Sequence, residues 1–217
     1  MADTQRSRRT YNSPRRRQQA AATRKAILEA AEQLFLRDGY PATTMEAVAA
    51  EAGVSLKTAY LPFTTKSGLL RALWDLRLKG DEQDAPVAQH EWFRDVVQER
   101  DPVRKLQLNA RNSRAAKTRI GAMFKVIRGA AEIDVDCHTL WQLIQDDFHA
   151  NQRTIVDSLH RDGALRSGLG VARGTDLLWT LNHPDVWLLL VGERGWSPRA
   201  YETWLAQTSC AQLLGAQ

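Results

Sequence analysis

Between residues 44 and 66 the chain carries a set of hydroxyl and amine donors, Thr44, Ser55, Lys57, Thr58, Tyr60 and Lys66, at spacings suited to a polyanion. A threonine or serine at a helix start accepts a backbone N–H, and the remaining N–H groups and the positive end of the helix dipole face outward to a phosphate. The lysines and the tyrosine add side-chain donors on the same side. The run from Thr43 through Met45, Val48, Ala49, Ala52, Gly53, Val54 and Ser55 to Tyr60 has helix-turn-helix form. A short helix ends at Ala52, Gly53 permits a left-handed turn, Val54 packs into the angle, and Ser55 caps a second helix. Such a second helix presents its N-terminal end to a major groove. Lys57 is the base-edge candidate, since a lysine or arginine on guanine is the commonest specific pairing; contact with phosphate or water alone is the competing reading. Leu56, Ala59 and Leu61 either touch a thymine methyl or pack beneath the helix, and Tyr60 divides between core and phosphate.

The charge distribution points the same way. The chain has 30 Lys+Arg against 25 Asp+Glu, a formal net charge of +5. The excess lies at the start, where residues 1–25 hold Arg6, Arg8, Arg9, Arg15, Arg16, Arg17, Arg24 and Lys25 against Asp3 alone; the rest is slightly acidic. Residues 1–21 contain almost no large apolar group and are expected to form a flexible basic arm. Arg15, Arg16 and Arg17 either enter a minor groove or add sequence-independent attraction. A composition of 43% hydrophobic and 25% charged residues excludes collagen-like, mucin-like and wholly disordered chains. No apolar run approaches the roughly 18 residues of a membrane span. No apolar segment with a small-residue cleavage site follows Arg8-Arg9, so an export signal is not expected. Cys137 and Cys210 read as reduced thiols of a cytoplasmic protein.

The elements that must position these groups are helical throughout, an all-α fold. Ile27, Ala31, Leu34 and Phe35 predict a helix from Thr23 to a stop at Asp38-Gly39. Thr44 and Ser55 cap the two helices of the motif, Pro62 ends the second, and Thr65 caps a fourth helix carrying Leu69, Leu70, Leu73, Leu76 and Leu78 up to Gly80. Residues 81–100 are charged and irregular, with one short helix around Trp92 and Phe93. Asp101-Pro102 opens a long helix, an N-cap followed by proline at the first helical position. Another runs from Asp136 to Arg161 and ends at Asp162-Gly163. Helices at 172–191 and 198–214 complete the chain, the first bent or split at Pro184.

Ile27-Leu28-Glu29-Ala30-Ala31-Glu32-Gln33-Leu34-Phe35, Gly39-Tyr40, Thr43-Thr44, Val48-Ala49, Ala52-Gly53-Val54-Ser55, Thr58-Ala59-Tyr60, Phe63, Lys66 and Leu69-Leu70 together resemble the N-terminal domain of TetR-family transcriptional regulators over residues 24–72. The resemblance implies a homodimer with an N-terminal three-helix helix-turn-helix DNA-binding domain joined to a larger C-terminal helical ligand-binding and dimerisation domain. It also implies repression relieved by a small molecule. The domains would be a basic arm over 1–21, the DNA-binding domain with its connecting helix over 22–80, and the second domain over 81–217. Carried over, Thr44, Tyr60 and Lys66 match family phosphate contacts, and residues 55–61 match the recognition helix. The sequence departs from the family at Leu61-Pro62, where a second aromatic or histidine is common; Pro62 shortens the recognition helix.

In the second domain, Asn109, Asn112 and Ser113 interrupt an apolar stripe, and Lys117 interrupts it again. Met123, Phe124, Ile127, Trp141, Phe148 and Trp179, with Asn182 and His183, have the makeup of a mainly apolar small-molecule pocket; plain core packing is the competing reading. Trp187, Leu188, Tyr201, Trp204 and Leu205 lie on the last two helices, which form the dimer interface in the resembled family. Core within one subunit competes there too. Cys137, His138, Asp146, Asp147 and His149 match no zinc spacing. No phosphate-binding loop, nucleophile elbow or dinucleotide fingerprint is present. The expected partners are therefore double-stranded operator DNA, a second copy of the chain and a largely apolar effector, with no metal, cofactor, enzymatic activity or membrane. An activator of the same family is the nearest alternative. An all-α enzyme, or a basic protein binding RNA or a membrane surface, lies further off.

Overall fold

The computed structural model describes residues 14–79, 87 and 90–215, and every regular element among them is helical. They divide between Leu69 and Leu70 into two compact units. The division falls inside a helix that the sequence reading assigns whole to the first domain. No described helix is long and apolar enough to cross a membrane.

The first unit holds α1 (Pro14–Ala42), α2 (Met45–Glu51), α3 (Leu56–Tyr60) and the start of α4 (Lys66–Lys79). Its core is the set that helical spacing selects: Ile27, Ala31, Leu34 and Phe35 from α1, Val48 and Ala49 from α2, Ala59 from α3, and Phe63 and Leu69 beyond it. Phe35 stacks on Tyr40 with ring centroids 5.7 Å apart. α1 departs from helical geometry at Gly39, the expected stop.

The helix begins at Pro14, however, well before Thr23. Residues 14–21 are therefore helical, not the flexible arm expected of them; the remainder of that arm lies outside the described residues. The reason is local. Proline suits a first turn, and the Gln-Gln-Ala-Ala-Ala run after the arginines is made of strong helix formers. This end has no apolar periodicity because it is exposed, so a search for a buried stripe passes over it.

The α2–α3 turn follows from its hydrogen bonds. Val54 donates its N–H to the carbonyl of Ala49 at 2.9 Å and Gly53 donates to Ala50 at 3.1 Å, the Schellman pair that closes a helix on a left-handed residue. Gly53 occupies that position at φ 65°.

The second unit contains the rest of α4 with α5 (Glu91–Gln98), α6 (Pro102–Ala131), α7 (Val135–Arg161), α8 (Val171–Leu181), α9 (Pro184–Trp187) and α10 (Pro198–Leu213). α6 is the spine, with α5, α7, α9 and α10 packed on it. Asp101 caps α6 through the N–H groups of Val103 and Arg104, and Asp134 caps α7 through those of Asp136 and Cys137. One core cluster joins Phe93, Leu106, Ile155, Leu159, Leu178 and Leu213; a second joins Ala110, Trp187, Tyr201 and Leu205. The helix expected over 172–191 is split, as Pro184 requires. α8 stops at Leu181, α9 restarts at Pro184, and Leu188–Glu193 continues as π-helix. Gly121 permits the close approach of α6 to Trp187, since a Cβ there would lie 3.0 Å from the indole Nε1.

Gly53→Ala meets no neighbouring atom but must hold a left-handed backbone. It is expected to cost about 1–2 kcal/mol, a fall of roughly 2–8 °C in Tm, read by thermal unfolding followed by circular dichroism.

Candidate nucleic-acid interface and internal cavity

α3 is short because a cap and a proline bound it. Ser55 Oγ accepts the N–H of Thr58 at 3.2 Å and shares a 2.7 Å hydrogen bond with the Thr58 hydroxyl, while Pro62 stands two residues past its end. Five residues then have one inward side, taken by the fully buried Ala59. Leu56, Lys57 and Tyr60 are exposed. Of the three apolar groups near the tip, Ala59 packs beneath the helix, whereas Leu56 and Leu61 stand in solvent at 37% and 77% exposure. A lysine, a phenol and two leucines projecting from a helix held rigidly from below form a surface that can read base edges and phosphates.

The neighbouring predicted contacts have settled partners. Thr44 Oγ1 caps α2 by accepting the N–H of Ala47 at 3.1 Å and is exposed. Lys66 is half-buried. Its ammonium donates to the carbonyls of Tyr40 at 2.8 Å and Thr43 at 2.9 Å and lies 4.1 Å from the Tyr40 ring centroid. It ties the end of α1 to the start of α4. Arg15, Arg16 and Arg17 are exposed in the first turn of α1, where the helix dipole disfavours cations.

The second unit contains a cavity of about 530 Å³, within the range of small-molecule sites. Trp74, Leu78, Trp92, Phe93, Ile120, Phe124, Leu140, Ile144 and Phe148 supply its apolar wall; Asn109, Asn112, Ser113, Lys117, Gln145 and Gln152 line it with polar groups, and the more exposed Arg71, Asp75 and Asp147 complete the lining, Arg71 paired with Asp75. Phe124 connects Trp74 and Trp141 through edge-on ring contacts at 4.9 and 6.2 Å.

Of the residues predicted for a pocket, Asn109, Ser113, Phe124 and Phe148 line this cavity. The other six lie outside that lining. Met123 and Ile127 are buried core. Trp141 packs behind Phe124, and Trp179 packs against His183, centroids 4.7 Å apart. Asn182 and His183 act one layer back. Asn182 Oδ1 accepts from Lys117 Nζ at 2.5 Å and from Ser113 Oγ at 2.6 Å, and His183 bonds Gln145 Oε1 at 2.9 Å. Trp187, Tyr201 and Leu205, predicted for a subunit interface, are buried in the subunit's own core, and Leu188 and Trp204 pack half-buried on it. The apolar side of α10 turns onto α6, so a partner would meet outward residues of this region, such as Leu189 and Trp196.

Lys117 is the group that sequence reasoning did not assign. Only 4% exposed, it donates to the Asn182 carbonyl at 2.6 Å, to Asn182 Oδ1, and to the Tyr201 hydroxyl at 2.7 Å. Burial pushes its pKa well below the usual lysine range and lifts that of the Tyr201 phenol. Its interruption of the apolar stripe on α6 was the available signal. Gln145 and Gln152, seven apart on α7, gave none beyond their place beside inward residues.

The profile of bacterial regulatory proteins of the tetR family matches residues 27–73, which contain α2, α3 and Lys66. A stretch of 51 residues is 47% identical to the uncharacterized HTH-type transcriptional regulator YvkB of Bacillus subtilis, covering 24% of this chain and 27% of that one. The likeness extends over 184 and 181 residues in two further regulators. One of these, the HTH-type transcriptional regulator TtgR of Pseudomonas putida, is 27% identical over 81% of this chain and 85% of its own. Residues 27–73 thus form a TetR-family regulatory domain. The chain is a DNA-binding transcriptional regulator. Among solved structures, NalD of Pseudomonas aeruginosa, the secondary repressor of the MexAB-OprM multidrug efflux pump, superposes with a TM-score of 0.72 at 20% identity, over 91% of this chain and 98% of that one. SmeT in complex with triclosan gives 0.70 at 18% identity, over 89% and 92%. These two likenesses establish the fold of both units.

Lys57→Ala and Tyr60→Ala remove side chains from the outward face of α3. Each is expected to weaken specific DNA binding by about 1–3 kcal/mol, roughly 5- to 150-fold, with an unchanged circular-dichroism spectrum; anisotropy titration checks it. Lys66→Met should instead lower Tm, because two buried carbonyls lose their donor.

Proposed function

We propose that this TetR-family regulator is a cytoplasmic, homodimeric repressor that binds a palindromic operator and releases it when a small, largely apolar molecule enters the cavity of the second unit. The observation that carries the reading is the pairing, in one chain, of an outward recognition helix with an aromatic-walled cavity. Neither feature serves stability. Leu61, 77% exposed, buries little, and a void of this size forfeits packing that side chains would otherwise make. A regulator needs both.

Thr44, Ser55, Leu56, Lys57, Thr58 and Tyr60 form the proposed operator contact. Lys57 reads a base edge, and Tyr60 and Thr44 hold phosphates. Arg15, Arg16 and Arg17 fit the same reading. A triple arginine opposes the dipole at the start of α1, and nearby phosphates would offset that cost. The repressor described in NalD and the triclosan complex of SmeT support repression and an aromatic effector by likeness of fold. Effector binding acts by favouring one of two arrangements of the dimer, as any ligand with differential affinity does.

Anisotropy titration against DNA upstream of the chain's own gene, at about 150–200 mM salt, tests the reading. Specific binding well above that to random DNA is expected, and a dimer at micromolar concentration by sedimentation. Equal affinity for random DNA, or a monomer, overturns it. Replacing Arg15, Arg16 and Arg17 by alanine should make the slope of log K against log salt shallower by about 0.9 for each phosphate no longer neutralised, while sequence preference survives.

A further inference from the structure

α6 carries two buried lysines, and they are provided for differently. Lys105, 0% exposed, donates to Asp162 at 2.9 Å and to Ser158, so its charge is neutralised within the fold. Lys117, which lines the cavity, has no carboxylate within ion-pair distance among the described residues. Its three hydrogen bonds go to a carbonyl, an amide oxygen and a phenol, all neutral. An ammonium buried without a counter-charge is costly, so burial favours the neutral amine, and an anion placed beside Lys117 would restore the charged form.

A second donor points to the same ligand chemistry. The backbone N–H of Asp185 donates to His183 Nδ1 at 3.2 Å, which leaves the ring proton on Nε2. His183 Nε2 therefore donates to Gln145 Oε1 at 2.9 Å, and this fixes which way the Gln145 amide faces. Its other end, Nε2, is buried without a hydrogen-bond partner, on a side chain that lines the cavity. Lys117 and Gln145 are anchored on adjacent residues, Asn182 and His183, at the break between α8 and α9.

We infer that the cavity is built for an acidic aromatic molecule, whose anionic group is matched by the Lys117 charge and takes the unpartnered N–H of Gln145 while its rings lie against Phe124, Phe148 and Trp92. The inference rests on the reading of this cavity as the effector site and names the class of effector. A neutral acceptor could take the Gln145 N–H but would leave the buried lysine without a counter-charge, and a cationic group beside Lys117 would add like charge; the lining carboxylates, Asp75 and Asp147, are the more exposed groups of the cavity.

The test is direct titration calorimetry of the full chain, without DNA, against 2-naphthoate, 2-naphthamide and 2-naphthylmethylammonium, which share one ring system. Naphthoate is expected to bind at least about tenfold more tightly than the amide, and the ammonium more weakly still. In Lys117→Met, checked for folding by circular dichroism, the preference should fall to within about twofold. Gln145→Leu, which leaves the cation in place, should lower naphthoate affinity about fivefold. Equal affinities, a preference for the ammonium, no binding of naphthoate, or a preference that survives in both variants overturns the inference. Parallel anisotropy with operator DNA separates the two readings. Acid selectivity without operator recognition defeats the regulator reading alone, and effector-driven release without acid selectivity defeats this inference alone.

Discussion

Every helix here begins with N–H groups that no residue of that helix can satisfy, and this constraint decides where the chain turns. Thr44, Ser55, Thr65, Asp101, Asp134 and Ser197 each accept one or two of those donors. Because the caps are short polar side chains acting two or three residues ahead, they set helix starts to the residue. The length of α3 follows from one cap and one proline. That shortness exposes Leu56, Lys57, Tyr60 and Leu61 together, and the proposed contact with DNA relies on that exposure.

In the second unit the same requirement appears in buried form. The α8–α9 break leaves the Asn182 carbonyl without a helical donor, and Lys117 supplies one from α6. The Asn182 side chain also collects Ser113, and the Tyr201 hydroxyl from α10 completes the shell of Lys117. One ammonium thus joins three elements at the cavity wall. It is held by neutral oxygens alone, so the charge of its protonated form has no counter-charge among them.

Much of this was written in residue order. Caps, the left-handed Gly53, the proline stops and the apolar spacings of α1, α2, α6 and α7 act over one or two turns, so the sequence states them locally. The helix-turn-helix of α2 and α3 was legible for that reason, and so was the split at Pro184. The start of α1 was not, because an exposed helix has no inward stripe to reveal it; strong helix formers alone extended it to Pro14.

The sequence by itself determined the helices, the turn of the motif and the donors that point to DNA, since each depends on neighbours a few residues away. Only the tertiary structure decided which inward residues face a void and which face one another. Met123 and Ile127 share the apolar stripe of Phe124, yet the first two pack into core while Phe124 meets the cavity. Tyr201 and Leu205, apolar and near the end of the chain, turn onto the subunit's own α6. Lys117 stood in the sequence as an interruption. Its meaning depended on Asn182 and Tyr201, 65 and 84 positions away, and on the lack of a nearby carboxylate like the one Asp162 gives Lys105. Periodicity tells a side chain to point inward; what it meets there is fixed by helices that the local sequence does not contain.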